Sequence, residues 1–356
     1  MSAESSGVVA VRCLPIAGTA NPYQLLMMRG LAEHPGLDVR HGAAGRLFPF
    51  VRTAIASPRR TVIHLDWLDS YLVRSSGWLT RIQQFAFAVD TWLASRWPGV
   101  TLAWTLHNIA PHDRAVPPRE RACRRAFARA CAWIRVFSAS SIDRASRSLD
   151  VDPSRFVVQA EGSYTGYYPE HADPTEPSER LEPREDAPPV IGYVGAVRPY
   201  KGLEQLLDAA EALPRARFLI AGRPADAEYA QRVSARVSGL PNVTCRLGFV
   251  DDADISALMR AIDIVCLPFA RVENSGSAIL AMGFAKPVVA PAMGVLVERL
   301  SGQPELLYGP GELTDTLAAA LALAPERRAA IGRANRAAVD RVAWSDFSAS
   351  FAPAAA

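Results

Sequence analysis

Short runs of consecutive apolar residues recur along the chain, separated by longer stretches in which apolar residues have helical spacing. In the first half these runs predict strands at 8–13, 61–65, 101–106 and 133–137. In the second half they predict strands at 190–194, 216–220, 243–247, 262–267 and 287–290, with helices such as 203–213, 227–237 and 255–261 between them. Apolar strands that alternate with helices are typical of a parallel sheet covered on both faces, so the pattern predicts an α/β fold.

The pattern is interrupted between 169 and 189, where the chain has six prolines, several acidic residues and few large apolar side chains. Such a composition builds no core and predicts a linker between domains. The predicted organisation is therefore an N-terminal domain at 1–168, the linker at 169–189, a C-terminal domain at 190–335 and a final segment at 336–356.

Composition excludes several classes of protein. The 356 residues, 49% of them hydrophobic, suffice for two domains with sizeable cores. The net charge of +3 does not indicate a nucleic-acid partner. The sequence has no uncharged apolar run of about 18 residues, so it predicts no membrane span. The first residues lack the pattern of a secretory signal. The five cysteines are scattered, with no CxxC pair and no metal-ligand spacing, which favours free thiols in the cytoplasm.

A turn with two cations follows the strand at 190–194. It reads GAVRPYKG over 195–202 and leads into the predicted helix at 203–213. A strand–turn–helix places backbone N–H groups and a helix N-terminus at one spot, which attracts anions. Arg198 and Lys201 add full positive charges there, so we expect a diphosphate ligand. The alternative is an ordinary turn with exposed cations, as any α/β protein can have.

A second candidate anion site follows the strand at 262–267. The segment 268–277 reads PFARVENSGS and precedes another helix. Small residues at a helix start leave backbone N–H groups open to a ligand. Ser275 and Ser277 can donate hydrogen bonds, and Glu273 can accept them from sugar or ribose hydroxyls. The alternative is an ordinary capping segment in which Ser275 caps its own helix.

Five segments of the second half, in order and spacing, resemble the nucleotide-sugar-binding domain of GT-B glycosyltransferases. They are 193–202, 218–222, 247–250, 261–268 and 285–290. The resemblance is to the large retaining, mannosyltransferase-like family and to short bacterial exopolysaccharide transferases of the GDP-mannose:glycolipid β-mannosyltransferase type. It implies two Rossmann-like domains facing a cleft, with the final segment returning to the N-terminal domain.

The resemblance also implies roles for particular residues. Arg198 and Lys201 would bind the donor diphosphate and offset the charge on the leaving group, so that no metal or other cofactor is required. The implied donor-binding set is Gly18, Asn21, Gly195, Arg198, Lys201, Gly222, Glu273, Asn274, Ser275, Gly276, Ser277 and Glu298. The retaining family usually has a second Glu eight positions after the first, but Leu280 or Ala281 stands there. Retention or inversion of configuration is therefore left open.

Strand ends of the first half supply the candidate catalytic residues. Asp66 follows the strand at 61–65, and a carboxylate there suits a general base for an acceptor hydroxyl. His107, in a His-Asn segment similar to the family's, can bond donor-sugar hydroxyls or shuttle protons. Asp113 is a second candidate base. The loop with Gly18 and Asn21 would approach the donor phosphates or the acceptor, and the alternative throughout is capping or packing.

Two helical stretches bear on the acceptor. The stretch 79–97 has apolar and aromatic side chains on one face, and 114–135 has seven arginines and one acidic residue. Basic residues beside aromatic ones suit an anionic membrane surface, which would hold a polyprenyl-diphosphate acceptor. The alternative is one core helix and one solvated basic helix.

The sequence thus predicts a glycosyltransferase of the hexosyltransferase type for polysaccharide synthesis. It would move a hexose, with mannose favoured, from a GDP- or UDP-sugar to a lipid-linked oligosaccharide or other glycan. We expect a cytoplasmic protein at the inner face of the cell membrane, with no nucleic-acid partner. The alternatives are a nucleotide-sugar epimerase or hydrolase on the same fold, or a non-catalytic GT-B subunit.

Overall fold

The computed structural model describes residues 8–18, 22–58, 60–111, 114–169 and 188–351. By its internal contacts the chain divides into two compact units, the first formed by Met1–Gly162 with Val342–Ala356 and the second by Ser163–Arg341. The final segment therefore belongs to the first unit, from Val342 rather than from position 336. The first boundary lies at Gly162, where the sequence placed it at 168. Most of the expected linker, 170–187, lies outside the described residues.

Within the described residues, the first unit contains a parallel sheet of six strands. They are β1 (Val9–Leu14), β2 (Leu37–His41), β3 (Thr61–Leu65), β4 (Val100–Thr105), β5 (Trp133–Val136) and β6 (Phe156–Val158), in the order β2-β1-β3-β4-β5-β6. Its helices are α1 (Tyr23–Ala32), α2 (Pro49–Ile55), α3 (Asp69–Leu72), α4 (Gly77–Ala94), α5 (Pro118–Ala130) and α6 (Ile142–Leu149). Short 3₁₀ turns lie at Ala139–Ser141 and Pro153–Arg155.

The returning segment completes the core of the first unit. Its 3₁₀ turn at Trp344–Ser350 packs on α1, and Phe347 is fully buried among apolar residues of β1 and α1. Gly30 permits this approach, because a Cβ there would lie 2.4 Å from the backbone carbon of Trp344. The sheet face on this side is therefore closed by residues more than 300 positions away along the chain from β1.

The second unit repeats the architecture, again with six strands in the described part. They are β7 (Val190–Val194), β8 (Arg217–Gly222), β9 (Val243–Leu247), β10 (Ile264–Cys266), β11 (Val288–Pro291) and β12 (Leu307–Tyr308), in the order β12-β11-β10-β7-β8-β9. Its helices are α7 (Leu203–Ala212), α8 (Ala227–Val237), α9 (Asp252–Ala261), α10 (Gly276–Gly283), α11 (Val295–Arg299), α12 (Leu313–Ala322) and α13 (Pro325–Val339). Further 3₁₀ turns lie at Pro199–Lys201 and Pro304–Leu306.

The strand prediction is confirmed except for three strands at sheet edges. All nine expected strands are present among the described residues, although β10 is shorter than expected. The three missed strands, β2, β6 and β12, are the outer strands of their sheets. An edge strand needs no continuous apolar run: β2 reads LDVRH and only Leu37 is buried. The fold is that of two Rossmann-like α/β units, as predicted.

Candidate active site

The turn after β7 meets the end of β8 in the second unit. Gly195 and Gly222 have φ values of 153° and 152°, a region that side chains rarely adopt. A Cβ on Gly222 would lie 1.7 Å from the carbonyl oxygen of Gly195, so the two backbones touch where only glycine fits. A Cβ on Gly195 would lie 3.2 Å from Ser277 Oγ. The two candidate anion sites predicted from the sequence therefore lie beside each other.

A second contact joins the same two segments. Gly202 has a φ of 70°, and a Cβ there would lie 1.8 Å from the carbonyl oxygen of Pro268. The backbone N–H of Ala270 donates to the carbonyl oxygen of Tyr200 at 3.0 Å. This pairing follows from the sheet order, because β7 and β10 are neighbours and their carboxyl ends lie at one edge.

The two cations of the turn are in different surroundings. Lys201 is half-buried, and its Nζ lies 3.9 Å from the centroid of the Phe269 ring. Burial, with a smaller effect of Arg198, lowers the pKa of Lys201 to about 8. Among the described residues, neither Arg198 nor Lys201 forms an ion pair, so two positive charges lie uncompensated before α7. An anion that binds here would supply the missing negative charge.

At the start of α10, one of the two candidate serines caps the helix. Ser275 is buried, and its hydroxyl accepts the N–H of Ala278 at 3.1 Å, so it caps the helix as the alternative interpretation expected. Its carbonyl oxygen accepts from Arg299 Nη1 at 3.3 Å. Gly276 and Ser277 are half-buried, and Ser277 lies next to Gly195. Ser277, rather than Ser275, has a hydroxyl placed at the anion site.

The acidic candidates of the second unit differ in exposure. Glu273 and Asn274 are half-buried in the loop before α10, whereas Glu298 is exposed on α11. Leu280 and Ala281, at the place of the family's second Glu, are buried inside the unit on α10. A carboxylate for the ribose is therefore absent from this position of α10.

In the first unit, Asp66 lies between two imidazoles. Its Oδ2 accepts from Gln24 Nε2 at 2.8 Å, while its Oδ1 lies 3.8 Å from His64 Nδ1 and 3.7 Å from His107 Nε2. Asp66 Oδ1, His64 Nδ1 and His107 Nε2 are buried and have no hydrogen-bond partner. The cluster forms because β3 and β4 are adjacent in register, so Asp66 and His107 both follow the ends of neighbouring strands.

His64 is the fully buried imidazole of this cluster. His64 Nε2 lies 2.8 Å from Thr105 Oγ1, which accepts from Arg135 Nη1 at 3.3 Å. The other ring nitrogen of His64, Nδ1, faces Asp66 Oδ1. Burial lowers the pKa of His64 to about 4, so it is neutral at physiological pH.

Asp66 remains ionised in this environment. Burial by itself raises the pKa of the carboxyl, but the two imidazoles and the Gln24 amide outweigh it and hold that pKa below its ordinary value. The Asp66 side chain is fully enclosed, whereas 14% of the His107 side chain is exposed. His107 stacks on Trp67, with ring centroids 5.0 Å apart, and meets the edge of Tyr23. A hydroxyl would therefore reach His107 first.

The loop after β1 lies at the same end of the sheet. Gln24 connects it to the cluster, since Gln24 Oε1 accepts the N–H of Ala17 at 2.9 Å while its amide nitrogen donates to Asp66. Gly18 is exposed in this loop, and a Cβ there would meet no atom within 4 Å. Two further candidates, Asn21 and Asp113, lie outside the described residues.

A cavity of about 520 Å³ opens beside this loop. Its lining includes Pro15, Gly18, Arg46, Trp67, Ser70 and Tyr71. Because Trp67 also stacks on His107, the cavity adjoins the exposed edge of the Asp66 cluster. It is large enough for a sugar residue and offers aromatic faces with one cation.

Sequence reasoning missed several members of the Asp66 cluster. Gln24, Thr105 and Arg135 were not candidates, and His64 was noted only as part of a motif. One signal was available: His64 and Asp66 are two residues apart at a strand end and therefore point to the same face of the sheet. In the described part of the chain, no group of three His, Cys, Asp or Glu side chains could hold a metal ion.

Comparisons with known proteins bear on the second unit most directly. Residues 188–324 match the family described as Glycosyl transferases group 1. This match lies within one domain, the second unit. This domain holds the glycine turn, both cations and the start of α10, and the resemblance to glycosyltransferases, a class of transferases, is confirmed.

Curated relatives match different lengths of the chain. The GDP-mannose:glycolipid 4-beta-D-mannosyltransferase of Xanthomonas campestris pv. campestris is 29% identical over 244 residues, which cover 68% of this chain and 64% of that protein. The chain thus matches less than two thirds of that relative's length. The 2-deoxystreptamine glucosyltransferase of Streptomyces kanamyceticus is 33% identical over 147 residues, 38% of each protein.

Solved structures confirm the fold over nearly the whole chain. Sucrose-phosphate synthase from Thermosynechococcus elongatus matches with a TM-score of 0.72 at 17% identity, covering 97% of this chain and 98% of that one. Anabaena HepE, solved in complex with UDP and glucose, matches with a TM-score of 0.70 at 18% identity and the same coverage. The fold is GT-B, with two Rossmann-like α/β domains, as predicted.

Proposed function

We propose that the protein is a hexosyltransferase that moves a hexose from a nucleoside-diphosphate sugar to a glycan acceptor. The observation that supports this most strongly is the pair of uncompensated cations, Arg198 and Lys201, on a turn where Gly195 brings the backbone against Ser277. A diphosphate matches that site in charge. The leaving nucleoside diphosphate gains negative charge as the glycosidic bond breaks, and fixed cations stabilise that charge without a metal.

The first unit would supply the acceptor side of the reaction. In this proposal His107 contacts the reacting sugar or acceptor hydroxyl, and Asp66 acts as a positioning residue that holds the imidazole and balances its charge when it takes a proton. The predicted role of Asp66 as a direct base stays a prediction. Its enclosure in the described residues favours the indirect role.

The finer assignment of substrates rests on relatives. A GDP-mannose:glycolipid 4-beta-D-mannosyltransferase is among them, so we propose mannose from GDP-mannose as the favoured donor sugar and a lipid-linked oligosaccharide as the acceptor. A UDP-hexose is the second candidate donor, because HepE, which shares the fold, is solved with UDP and glucose.

Isothermal titration of the full chain against GDP, UDP, GDP-mannose and UDP-glucose tests the proposal. We expect binding of at least one nucleotide, weakened about 10- to 100-fold by Arg198→Ala and by Lys201→Ala, since each removes a charge-assisted contact. Arg333→Ala is the matched control, because Arg333 is an exposed cation on α13 of the same unit. Failure of every nucleotide to bind would contradict the proposal.

The fate of a bound nucleotide sugar, with and without an acceptor, then distinguishes a transferase from the alternative functions. An epimerase or hydrolase would isomerise or release the sugar without an acceptor, and a non-catalytic subunit would bind the donor and leave it intact under all conditions. The buried Leu280 at the place of a family Glu is the observation that keeps the non-catalytic subunit under test. A transferase forms product only when an acceptor is added.

A further inference from the structure

Helix α4 in the first unit buries several polar side chains beside apolar ones such as Phe87. The residues that face the core include Gln83, Gln84, Asp90 and Thr91. Gln84 Nε2 donates to the carbonyl oxygen of Leu72 at 3.2 Å. The Asp90 carboxylate accepts the N–H groups of Phe50 and Val51, at 2.8 and 2.9 Å, and so caps the start of α2. These bonds fix which way α4 is turned, because rotating it would leave buried polar groups unpaired.

The outward side of α4 is apolar instead. Trp78, Phe85 and Trp92 are 64%, 73% and 55% exposed, and Ile82 is 52% exposed. The three aromatic residues are spaced by seven, or about two helical turns, so they form one row along the helix. Large apolar side chains normally face the core, and a contiguous exposed set marks an interaction surface.

Charge on this face has one sign. Asp90 is the acidic residue of α4, and it is buried in the contact with α2. Arg74, Arg81 and Arg96 are exposed on or next to the helix, and the Arg96 guanidinium lies 4.5 Å from the centroid of the Trp92 ring. Aromatic side chains with arginines among them, and no exposed carboxylate on the helix, complement an anionic surface.

The basic helix α5, by contrast, uses much of its charge inside the fold. Arg124 is buried against Glu120 and Asp69, and Arg129 pairs with Asp150. Arg125 donates to the carbonyl oxygen of Ser148 at 3.1 Å. The sequence had assigned basic and aromatic contributions to separate stretches, but the structure combines both on α4.

We propose that this face of α4, formed by Trp78, Ile82, Phe85, Trp92 and Leu93 with Arg81 and Arg96, docks on an anionic lipid bilayer. Within the described residues, no helix has the length and hydrophobicity needed to cross a bilayer. An 18-residue helix with an apolar face and cations lies instead in the plane of the headgroups, where tryptophan rings are also favoured. The proposal does not depend on the proposed reaction.

Vesicle flotation of the full chain tests it. The probes are vesicles of phosphatidylcholine alone and of phosphatidylcholine with phosphatidylglycerol, without any nucleotide sugar. We expect the protein to float with the anionic vesicles at low salt and to be released by high salt. Phe85→Gln with Trp92→Gln should lower the partition coefficient about tenfold, because two exposed apolar anchors are lost. Arg81→Glu with Arg96→Glu should abolish the preference for anionic vesicles.

The matched control is the double variant Ile55→Gln with Val158→Gln. Both residues are exposed and apolar in the first unit but lie outside α4, so this variant should float like the wild type. Wild-type protein that stays with the soluble fraction, or a Phe85/Trp92 variant that floats unchanged, would overturn the proposal. Lipid-free dimerisation lost in that variant, with no vesicle binding, would assign the face to a second copy and also overturn it.

Discussion

Raising the pH should weaken nucleotide binding through a single lysine. Burial, together with the neighbouring Arg198, lowers the pKa of Lys201 to about 8 from its ordinary value of 10.5. A bound diphosphate favours the protonated ammonium and raises that pKa again. The protonated form is therefore the one that binds. The affinity for the nucleotide should be greatest well below pH 8 and should fall as the pH rises through that value.

The size of the effect follows from the pKa of the free protein. If the bound diphosphate restores the ordinary pKa of Lys201, the loss at high pH has an upper limit of about 3 kcal/mol. By about pH 9.5 the free protein is mostly deprotonated at Lys201. Kd should then be about twentyfold higher than at about pH 7.5, with a slope approaching tenfold per pH unit. The diphosphate group of the nucleotide is already ionised across this range.

Titration calorimetry with GDP or UDP, over several pH values, measures this dependence. Lys201→Arg keeps a cation at all these pH values, so its affinity should vary little. Arg333→Ala should reproduce the wild-type slope, because Arg333 lies on α13 and not on the turn. Circular dichroism at each pH checks that the fold is intact.

Two outcomes would contradict this reasoning. Affinity of the wild type that does not change with pH would mean that Lys201 is not deprotonated in the free protein or does not contact the anion. The same slope in Lys201→Arg would assign the titration to another group. Only a slope that is present in the wild type and absent in the arginine variant agrees with the geometry.

Two further predictions concern the strand ends of each unit. Gly222→Ala should destabilise the protein by about 2–4 kcal/mol and abolish nucleotide binding, because the added methyl group would overlap the Gly195 carbonyl at a backbone conformation that favours glycine. The control is Gly248→Ala, where a Cβ meets nothing within 4 Å and stability should change by less than about 1 kcal/mol. Urea unfolding measures the free energy of unfolding of both variants. His64 stays neutral in the fold with its pKa at about 4, while the unfolded chain takes up a proton near 6.5, so stability should fall by about 2–3 kcal/mol between about pH 6.5 and pH 4.5. His64→Gln should reduce that slope, and an unchanged slope would assign it to other groups.

In the second unit, the sequence predicted which segments follow the strand ends and could form a site together. This candidate anion site depends on close backbone approach: Gly202 and Gly222 are required by contacts with neighbouring backbone carbonyls, and such requirements leave glycines at fixed places after strands. The sheet order then brings the segments together. What sequence could not decide was the use of each hydroxyl, since Ser275 and Ser277 look alike in the chain while only Ser275 is taken up as a cap.

The first unit was less predictable because its polar side chains are used by distant partners. The apolar spacing of α4 indicated an amphipathic helix, but periodicity does not tell which side faces the core. That choice depends on Asp90 meeting the N–H groups of Phe50 and Val51, about 40 residues earlier in the chain. Phe87 shows the same limit, since it is buried in the core while Phe85, two positions earlier, is exposed.

The arrangement around Asp66 shows how burial changes a role assigned from position alone. A carboxylate at a strand end suggests a base open to substrate, but this one is buried, with Gln24, His64 and His107 beside it. A buried carboxylate between two imidazoles is most useful when one of them becomes charged, since its negative charge then stabilises the imidazolium. Burial keeps His64 neutral, and His107 is the imidazole of the cluster with a partly exposed side chain, so variants of His107 test the proposed acceptor chemistry most directly.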